Sequence, residues 1–425
     1  MHLNYSYVTS TDPRIYELLK LEERRQHVGL ELIASENYVS AAVMETMSSV
    51  LNNKYSEGYP GARYYGGQEV ADQIERLAIA RAKALFNAAH ANVQPHAGAP
   101  ANIATYFALA EPGDTIMGMD LSHGGHLTHG APVTQIAKVF RFIRYRMKNI
   151  ESGEIDYDEM RETALRERPK IIIAGFSAYP RELNYAKIRE IASEVGAYAI
   201  ADVAHIAGLI VGGVLANPFD SGFDVVLTTT HKTLRGPRGG LILSRTEEIG
   251  KKIDKSVFPG MQGGPIMQMI AAKAVAFHEA SLPSFRDYAI QTVNNAKALA
   301  GALQDQGAKL ITNGTDNHLM LVDCVSSWGR SGGHVQEILD TVGITLNKNM
   351  IADDPRTAMD PSGIRLGTPA LTTRGMREPE MRWLATIIGR AVTTDDRHIH
   401  TLIKQEVEEL ASTFPVPGID LRPLS

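Results

Sequence analysis

Apolar positions recur along this chain in two rhythms. In VADQIERLAIARAKALF, from Val70, they fall three and four residues apart, the spacing of an amphipathic helix. IYELLKLEERRQHVGLELIA, nearer the N-terminus, has a similar spacing and predicts another helix through Ala34. The second rhythm is one of short apolar runs rich in β-branched residues. These predict strands at ANVQPH, TIMGMDL, IIIAGF, YAIADVA, DVVLTTT and GGLILSR, with helices such as YAKIREIASEVG between several of them. Alternation of this kind is the pattern of a largely parallel sheet with crossover helices.

After FPGMQGGP, the run IMQMIAAKAVAFHEA and its continuation to about Gly307 predict a linker helix. HLMLVDC, HVQEILDTVG and MRWLATIIGRAV then predict a smaller C-terminal α+β unit. The organisation expected is an N-terminal arm over 1–60, a large α/β domain over 61–285 and a small C-terminal domain over 286–425.

Composition narrows the class. With 425 residues, 44% of them hydrophobic and 21% charged, the chain can bury a sizeable core. A formal charge of -5 gives no reason to expect nucleic acid or an acidic membrane surface as partner. One cysteine, Cys324, excludes an internal disulfide and the usual cysteine zinc clusters. No run approaches the length of a membrane helix, and the polar start MHLNYSYVTSTDPR lacks the apolar core of a signal peptide, so a cytoplasmic location is expected.

Four strand-end features converge if the sheet is parallel, because such sheets place their sites at the carboxyl ends of the strands. In YAIADVAHIAG, Asp202 ends an apolar strand, with His205 three residues on. A carboxylate there needs a cationic or hydrogen-bonding partner to offset its desolvation, and a protonated pyridine nitrogen is one such partner. A helix cap remains an alternative. In TTTHKTLRGPRGG, Lys232 follows another strand and offers an amine able to condense with an aldehyde, although most loop lysines are simply solvated. In HAGAPANIATYFALA, His96 to Ala99 lead from a strand into a helix whose first N–H groups could hold a phosphate, or whose small residues serve only close packing. In SHGGHLTHG, His123, His126 and His129 crowd a glycine turn; His126 could stack on an aromatic ring. Metal binding is the alternative for these histidines, less favoured because the carboxylates that would complete such a site lie elsewhere in the sequence. Lysine, aspartate and phosphate turn together meet the needs of pyridoxal phosphate.

LELIASENYVS, KYSEGYPGARYYGG, SHGGHLTHG, GFSAYP, ADVAHIAGL, TTTHKTLRGPRGG, FPGMQGGP and SGIRLGTPALTTRG, in that order, resemble the serine hydroxymethyltransferase family. The resemblance implies the aspartate aminotransferase-like fold of pyridoxal-phosphate enzymes: an α/β fold with a large, mainly parallel-sheet domain and a smaller C-terminal α+β domain. It also implies a homodimer or a dimer of dimers, with L-serine and glycine as amino-acid substrates and tetrahydrofolate as co-substrate. By motif, Lys232 matches the lysine that holds the cofactor aldehyde, and Asp202 the partner of the ring nitrogen. Ser177 and His205 match contacts to the ring's phenolic oxygen, and His126 the residue stacked on its face. Thr229 and His231 support the lysine, while Arg238 steadies its loop. Arg365 matches the substrate-carboxylate arginine, with Ser35 and Tyr65 helping to place the amino acid. Glu57 matches the acid-base carboxylate. Tyr55, Gly263 and Gly264 match phosphate contacts reaching in from the neighbouring subunit. Leu121, Gly125 and Asn347 match folate contacts.

Two departures stand against this pattern. The phosphate turn has Ala97 and Ala99, beside Gly98, where the family has serines, so two hydroxyl donors are missing. Ahead of the arginine motif, Thr357, Ala358 and Met359 replace the family's Ser-Pro-Phe. The expected activity is hydroxymethyl transfer between serine and tetrahydrofolate. Transfer from 2-methylserine, folate-independent aldol cleavage of a β-hydroxy amino acid, and a noncatalytic cofactor-binding regulator remain the alternatives.

Overall fold

The computed structural model describes residues 5–419, so the first four residues of the polar start and the last six of the C-terminal segment lie outside it. The chain divides into two compact units, one formed by the residues up to Ala41 with those from Gln291 onward, the other by Ala42–Ile290.

After a short helix over Ser6–Thr11, the first unit continues with helix α1 (Pro13–Val28), capped by Asp12, whose carboxylate accepts from the Ile15 N–H at 3.1 Å. The helix predicted through Ala34 stops early. Gly29 is extended, and a Cβ there would stand 3.0 Å from Arg25 O and 3.2 Å from Gly343 O. Beyond it, Leu30–Glu31 forms strand β1, parallel to Ile344–Thr345, with buried Leu30 and Leu32 directed into the core. Apolar spacing alone does not separate a helix from a buried strand when the pairing partner lies so far along the chain.

The second unit follows the predicted alternation. Its elements are α2 (Glu69–Phe86), β2 (His90–Asn92), α3 (Gly98–Leu109), β3 (Thr115–Met119), β4 (Arg141–Tyr145), β5 (Ile171–Gly175), α4 (Tyr185–Val195), β6 (Tyr198–Asp202), β7 (Val225–Thr229), β8 (Gly240–Ser244) and α5 (Met267–Ala280). Helix α2 ends on left-handed Asn87 and α4 on left-handed Gly196, which satisfy carbonyls of the last turn. Seven strands form one sheet in the order β2-β8-β7-β6-β5-β3-β4, in which only β8 runs against its neighbours. Strands β3, β5, β6 and β7 are almost wholly buried on both faces, as parallel strands covered by helices are. Ile116, Ile171, Ile173, Ile200, Val225 and Leu227 form the core with Ala101, Ala104 and Tyr106 of α3. Each large side chain buried there contributes about 1.5–3 kcal/mol.

Helix α6 (Pro283–Asp305) begins in the second unit and ends in the first. The continuous linker helix expected from Ile266 is broken at Ser281 and Leu282, where Pro283 starts a new helix. The first unit then continues with β9 (Lys309–Leu310), β10 (Leu319–Asp323), α7 (Gly332–Thr341), β11 (Ile344–Thr345), β12 (Asn347–Asn349), β13 (Gly363–Gly367), α8 (Glu378–Val392) and α9 (Arg397–Thr413). Its antiparallel sheet runs β9-β10-β13-β12 and packs on helices through Leu321's neighbours Met320 and Val322, with Ile364, Leu366, Ile388 and Val407. No described helix is long and apolar enough to cross a membrane.

Candidate active site

Because β5, β6 and β7 are parallel and in register, their carboxyl ends share one edge: Asp202 lies opposite Gly175 on one side and Leu227 on the other. Asp202 is buried, and its carboxylate collects three donors. His129 Nε2 and Asn102 Nδ2 donate to Oδ2 at 3.1 and 2.8 Å, and the Ala204 N–H donates to Oδ1 at 3.1 Å. Burial works to raise its pKa, but the hydrogen bonds it accepts, from His129 first and then from the Asn102 amide, oppose it, and Asp202 is held well below the usual carboxylate range. The site therefore keeps a negative charge at the end of a buried strand.

The histidine turn after β3 supplies the first of these donors, His129. Gly124 adopts φ +110, and a Cβ on it would meet Ala178 O at 2.7 Å; its carbonyl accepts from the N–H groups of Ser177 and Ala178 at 2.7 and 3.1 Å. Only glycine allows that approach. At Gly125 a Cβ would stand 2.2 Å from Met119 O, while Leu121 beside it is exposed. His129 Nδ1 accepts the His126 N–H at 3.2 Å, which leaves the ring proton on Nε2, facing Asp202. His126 Nδ1 lies 2.7 Å from Thr128 Oγ1, which also accepts from Asn102 at 2.7 Å. The carboxylate expected to lie away from this turn is in fact Asp202: His126, His129 and Asp202 offer ligand atoms within 4.8 Å of one another. Chain folding closes the gap between residues that are distant in sequence.

Lys232 is buried three residues beyond β7. Its turn closes on Thr230, whose hydroxyl donates to Pro237 O at 2.6 Å and whose N–H donates to Gly239 O at 3.1 Å. Arg235 takes φ +59, with its guanidinium 4.7 Å from the Tyr288 ring centre and 5.5 Å from that of Phe285. Thr229 donates to Ala204 O at 3.3 Å, and Thr233 to the carbonyl of buried His205 at 2.8 Å, so the lysine turn is tied to the segment after Asp202. His231 Nδ1 is buried without a hydrogen-bond partner; burial, then the charges of exposed Arg238 and of Lys232, push this imidazole down to about 3.

Ala97 is the N-cap of α3, with no side-chain cap bond. The first turn presents the N–H groups of Gly98 and Ala99; Pro100 has none, and the Ala101 N–H is used on Ala97 O at 3.2 Å. A Cβ at Gly98 would stand 2.7 Å from Thr229 Cγ2, so glycine lets the helix start come down onto β7. Nearby, the His96 N–H donates to Gln262 Oε1 at 3.0 Å. Gly263 and Gly264 follow Gln262 and pack on Glu57 and on the Tyr55 ring. Tyr55 donates to Glu57 Oε1 at 3.1 Å and stands edge-on to Tyr65, centroids 5.3 Å apart; both tyrosines are half-exposed.

In the first unit, Arg365 on β13 faces Asn347 on β12 as a cross-strand pair and donates to its Oδ1 at 3.2 Å. Burial lowers this guanidinium to about 10. Ser35 lies in the turn after β1, which docks on the end of the same strand: the Gly367 N–H donates to Leu32 O at 2.8 Å, and a Cβ on Gly367 would stand 2.5 Å from Ala34 Cα. The segment Thr357–Met359 forms a tight turn, with Thr357 bridged to Asp360 and Met359 79% exposed.

These side chains fit pyridoxal phosphate. A buried, ionised Asp202 suits a protonated ring nitrogen, Lys232 suits an aldehyde, and the glycine-led start of α3 suits a phosphate. Asn102 and His129 were not legible as partners of Asp202. The one signal was a polar Asn102 inside the mostly apolar helix GAPANIATYFAL.

Comparison with known proteins identifies the family. The profile of the serine hydroxymethyltransferase family matches residues 8–388. The chain is 54% identical to the serine hydroxymethyltransferase of Nostoc punctiforme over 97% of its own length and 96% of that protein's. Identity is 54% to the Cyanothece sp. enzyme and 53% to that of Microcystis aeruginosa, with the same coverage. The chain thus belongs to the serine hydroxymethyltransferase family, whose members use pyridoxal phosphate with tetrahydrofolate as co-substrate.

Proposed function

We propose that this chain interconverts L-serine and tetrahydrofolate with glycine and 5,10-methylenetetrahydrofolate. The observation that carries the reading is the buried, ionised Asp202 beside the Lys232 turn, in a chain 54% identical over almost its whole length to serine hydroxymethyltransferases. When bound, pyridoxal phosphate supplies the electron sink for the bond broken at the serine Cα. Asp202, oriented by His129 and Asn102, keeps a proton on the ring nitrogen. His126 covers the ring face, and Ser177 and His205 address its phenolic oxygen. Lys232 would hold the aldehyde, with Thr229 and His231 beside it. Gly98 and Ala99 hold the phosphate with their N–H groups, and Tyr55, Gly263 and Gly264 add contacts to the phosphate of a neighbouring subunit. Arg365 pairs with the substrate carboxylate in a bidentate fork. Ser35 and Tyr65 fix the amino acid, and Glu57 moves the proton of the hydroxymethyl group. Leu121, Gly125 and Asn347 contact folate. The protein acts in the cytoplasm as a homodimer or dimer of dimers, with residues 1–60 contributing dimer contacts, and has neither nucleic acid nor membrane as partner.

The test is glycine formation from L-serine by cofactor-loaded protein, with and without tetrahydrofolate, beside 2-methylserine. Fast, folate-dependent release from serine is expected. Preference for 2-methylserine, or cleavage indifferent to folate, would move the activity to the alternatives that the exposed Thr357–Met359 turn raises. Lys232→Ala is expected to abolish turnover, and Glu57→Gln to bind serine without transferring its carbon.

A further inference from the structure

Lys273, on α5, is 2% exposed and takes no part in the chemistry above. Its ammonium donates to three main-chain carbonyls, Val93 O at 2.7 Å, Pro95 O at 3.1 Å and Gly240 O at 2.8 Å. An ammonium has three N–H donors, so this set uses all of them. Removing an ammonium from water is costly, and an apolar side chain would fill the same space without that penalty. Burial lowers the lysine to about 7 against the opposing charge of Glu75. Packing alone therefore does not account for a lysine at this position.

The three carbonyls show what it holds. Val93 and Pro95 lie on the stretch from β2 to Ala97, the N-cap of α3. Gly240 opens β8, where the Lys232 turn ends. The two segments also meet directly: the Gly240 N–H donates to Pro95 O at 2.9 Å, and a Cβ on Gly240 would stand 2.5 Å from Ala97 O. A Cβ on Gly239 would stand 2.4 Å from Lys273 Cε, so the loop is glycine where the lysine passes. One ammonium thus fastens the approach to the phosphate turn to the exit of the lysine turn.

We propose that Lys273 is a positioning residue that locks the Pro95–Gly98 turn to the Gly239–Gly240 end of the Lys232 loop, so that the phosphate and aldehyde ends of pyridoxal phosphate are received at a fixed separation. This rests on reading Gly98 as the phosphate turn and Lys232 as the aldehyde-binding amine.

The test uses full-length apoprotein titrated in parallel with pyridoxal phosphate and with pyridoxal, which lacks the phosphate, by equilibrium dialysis and by the visible absorbance of the lysine-bound aldehyde. For the wild type, the ratio of the two dissociation constants measures the contribution of the phosphate. In Lys273→Met this ratio is expected to shrink about tenfold or more, the equivalent of one interaction of about 1.4 kcal/mol, with partial recovery in Lys273→Gln, which keeps two N–H donors. A general loss of stability would weaken both ligands equally and leave the ratio unchanged, and that result in a folded variant overturns the proposal. If Lys273→Met does not fold, Lys273→Gln is read in the same way. A wild-type protein that binds both ligands alike would instead refute the phosphate-turn reading itself.

Discussion

Restoring the missing hydroxyls, through Ala97→Ser and Ala99→Ser, tests the phosphate turn from the opposite direction. Within the first turn of α3 only the Gly98 and Ala99 N–H groups face outward, because Pro100 lacks a donor and Ala101 is bonded to Ala97 O. Ala97 is exposed, and its φ of -158 and ψ of 174 form the extended conformation that a serine N-cap adopts, so the substitution introduces no strain. A hydrogen bond to a charged group contributes about 1.5–3 kcal/mol, or roughly a 10- to 150-fold change in dissociation constant for each hydroxyl that reaches the phosphate. Part of this is offset in the apoprotein, where a serine at position 97 can cap the Ala99 N–H and stabilise the helix by about 0.5–2 kcal/mol. The double variant should therefore bind pyridoxal phosphate about tenfold more tightly or better, with pyridoxal unchanged. Equilibrium dialysis of the apoproteins measures both. Unchanged affinity for pyridoxal phosphate in both single variants and in the double variant, or equal tightening of pyridoxal, would refute the assignment of this turn to the phosphate.

Three further outcomes follow from the geometry. Asn102→Ala removes one charge-assisted bond to Asp202, and urea or thermal unfolding of the apoprotein at neutral pH should show a loss of about 1.5–3 kcal/mol, with weaker binding of the cofactor ring; wild-type stability would show that the amide does not support the carboxylate. Gly130→Ala places a Cβ 2.1 Å from Phe142 Cγ at φ +99, and should lower stability by at least about 2 kcal/mol in a thermal melt. Glu31 is pushed up to about 8 by burial and then by the charge of Glu36, so between its unfolded pKa of about 4.3 and 8 the native state holds a proton that the unfolded chain has released. Stability from this group is thus present below that window and lost as pH rises through it. Glu31→Gln should reduce the loss between pH 5 and 8 by at least about 1 kcal/mol, and an unchanged slope of melting temperature with pH would contradict the shift.

Local pattern determined much of this protein. The runs IIIAGF, YAIADVA and DVVLTTT form strands where their β-branched content placed them, and Asp202 and Lys232 stand at or just past strand ends, because strand and turn propensities act over a few neighbouring residues. The edge strand Arg141–Tyr145 was not legible, since its arginines interrupt the apolar run and its burial comes from pairing with β3. Leu30–Glu31 was read as helix for a related reason: its partner, Ile344–Thr345, is more than 300 positions away. The environment of Asp202 was decided only in three dimensions. Asn102 is 100 residues from it and His129 is 73, and they meet because crossover helices bring β3, β5 and β6 side by side. Lys273 reaches its three carbonyls by the same means, 180, 178 and 33 positions away. Sequence periodicity specifies which side of an element is buried, but the cost of burying a charge is met by whichever donors and acceptors the sheet order brings to it, and that order is a property of the whole fold.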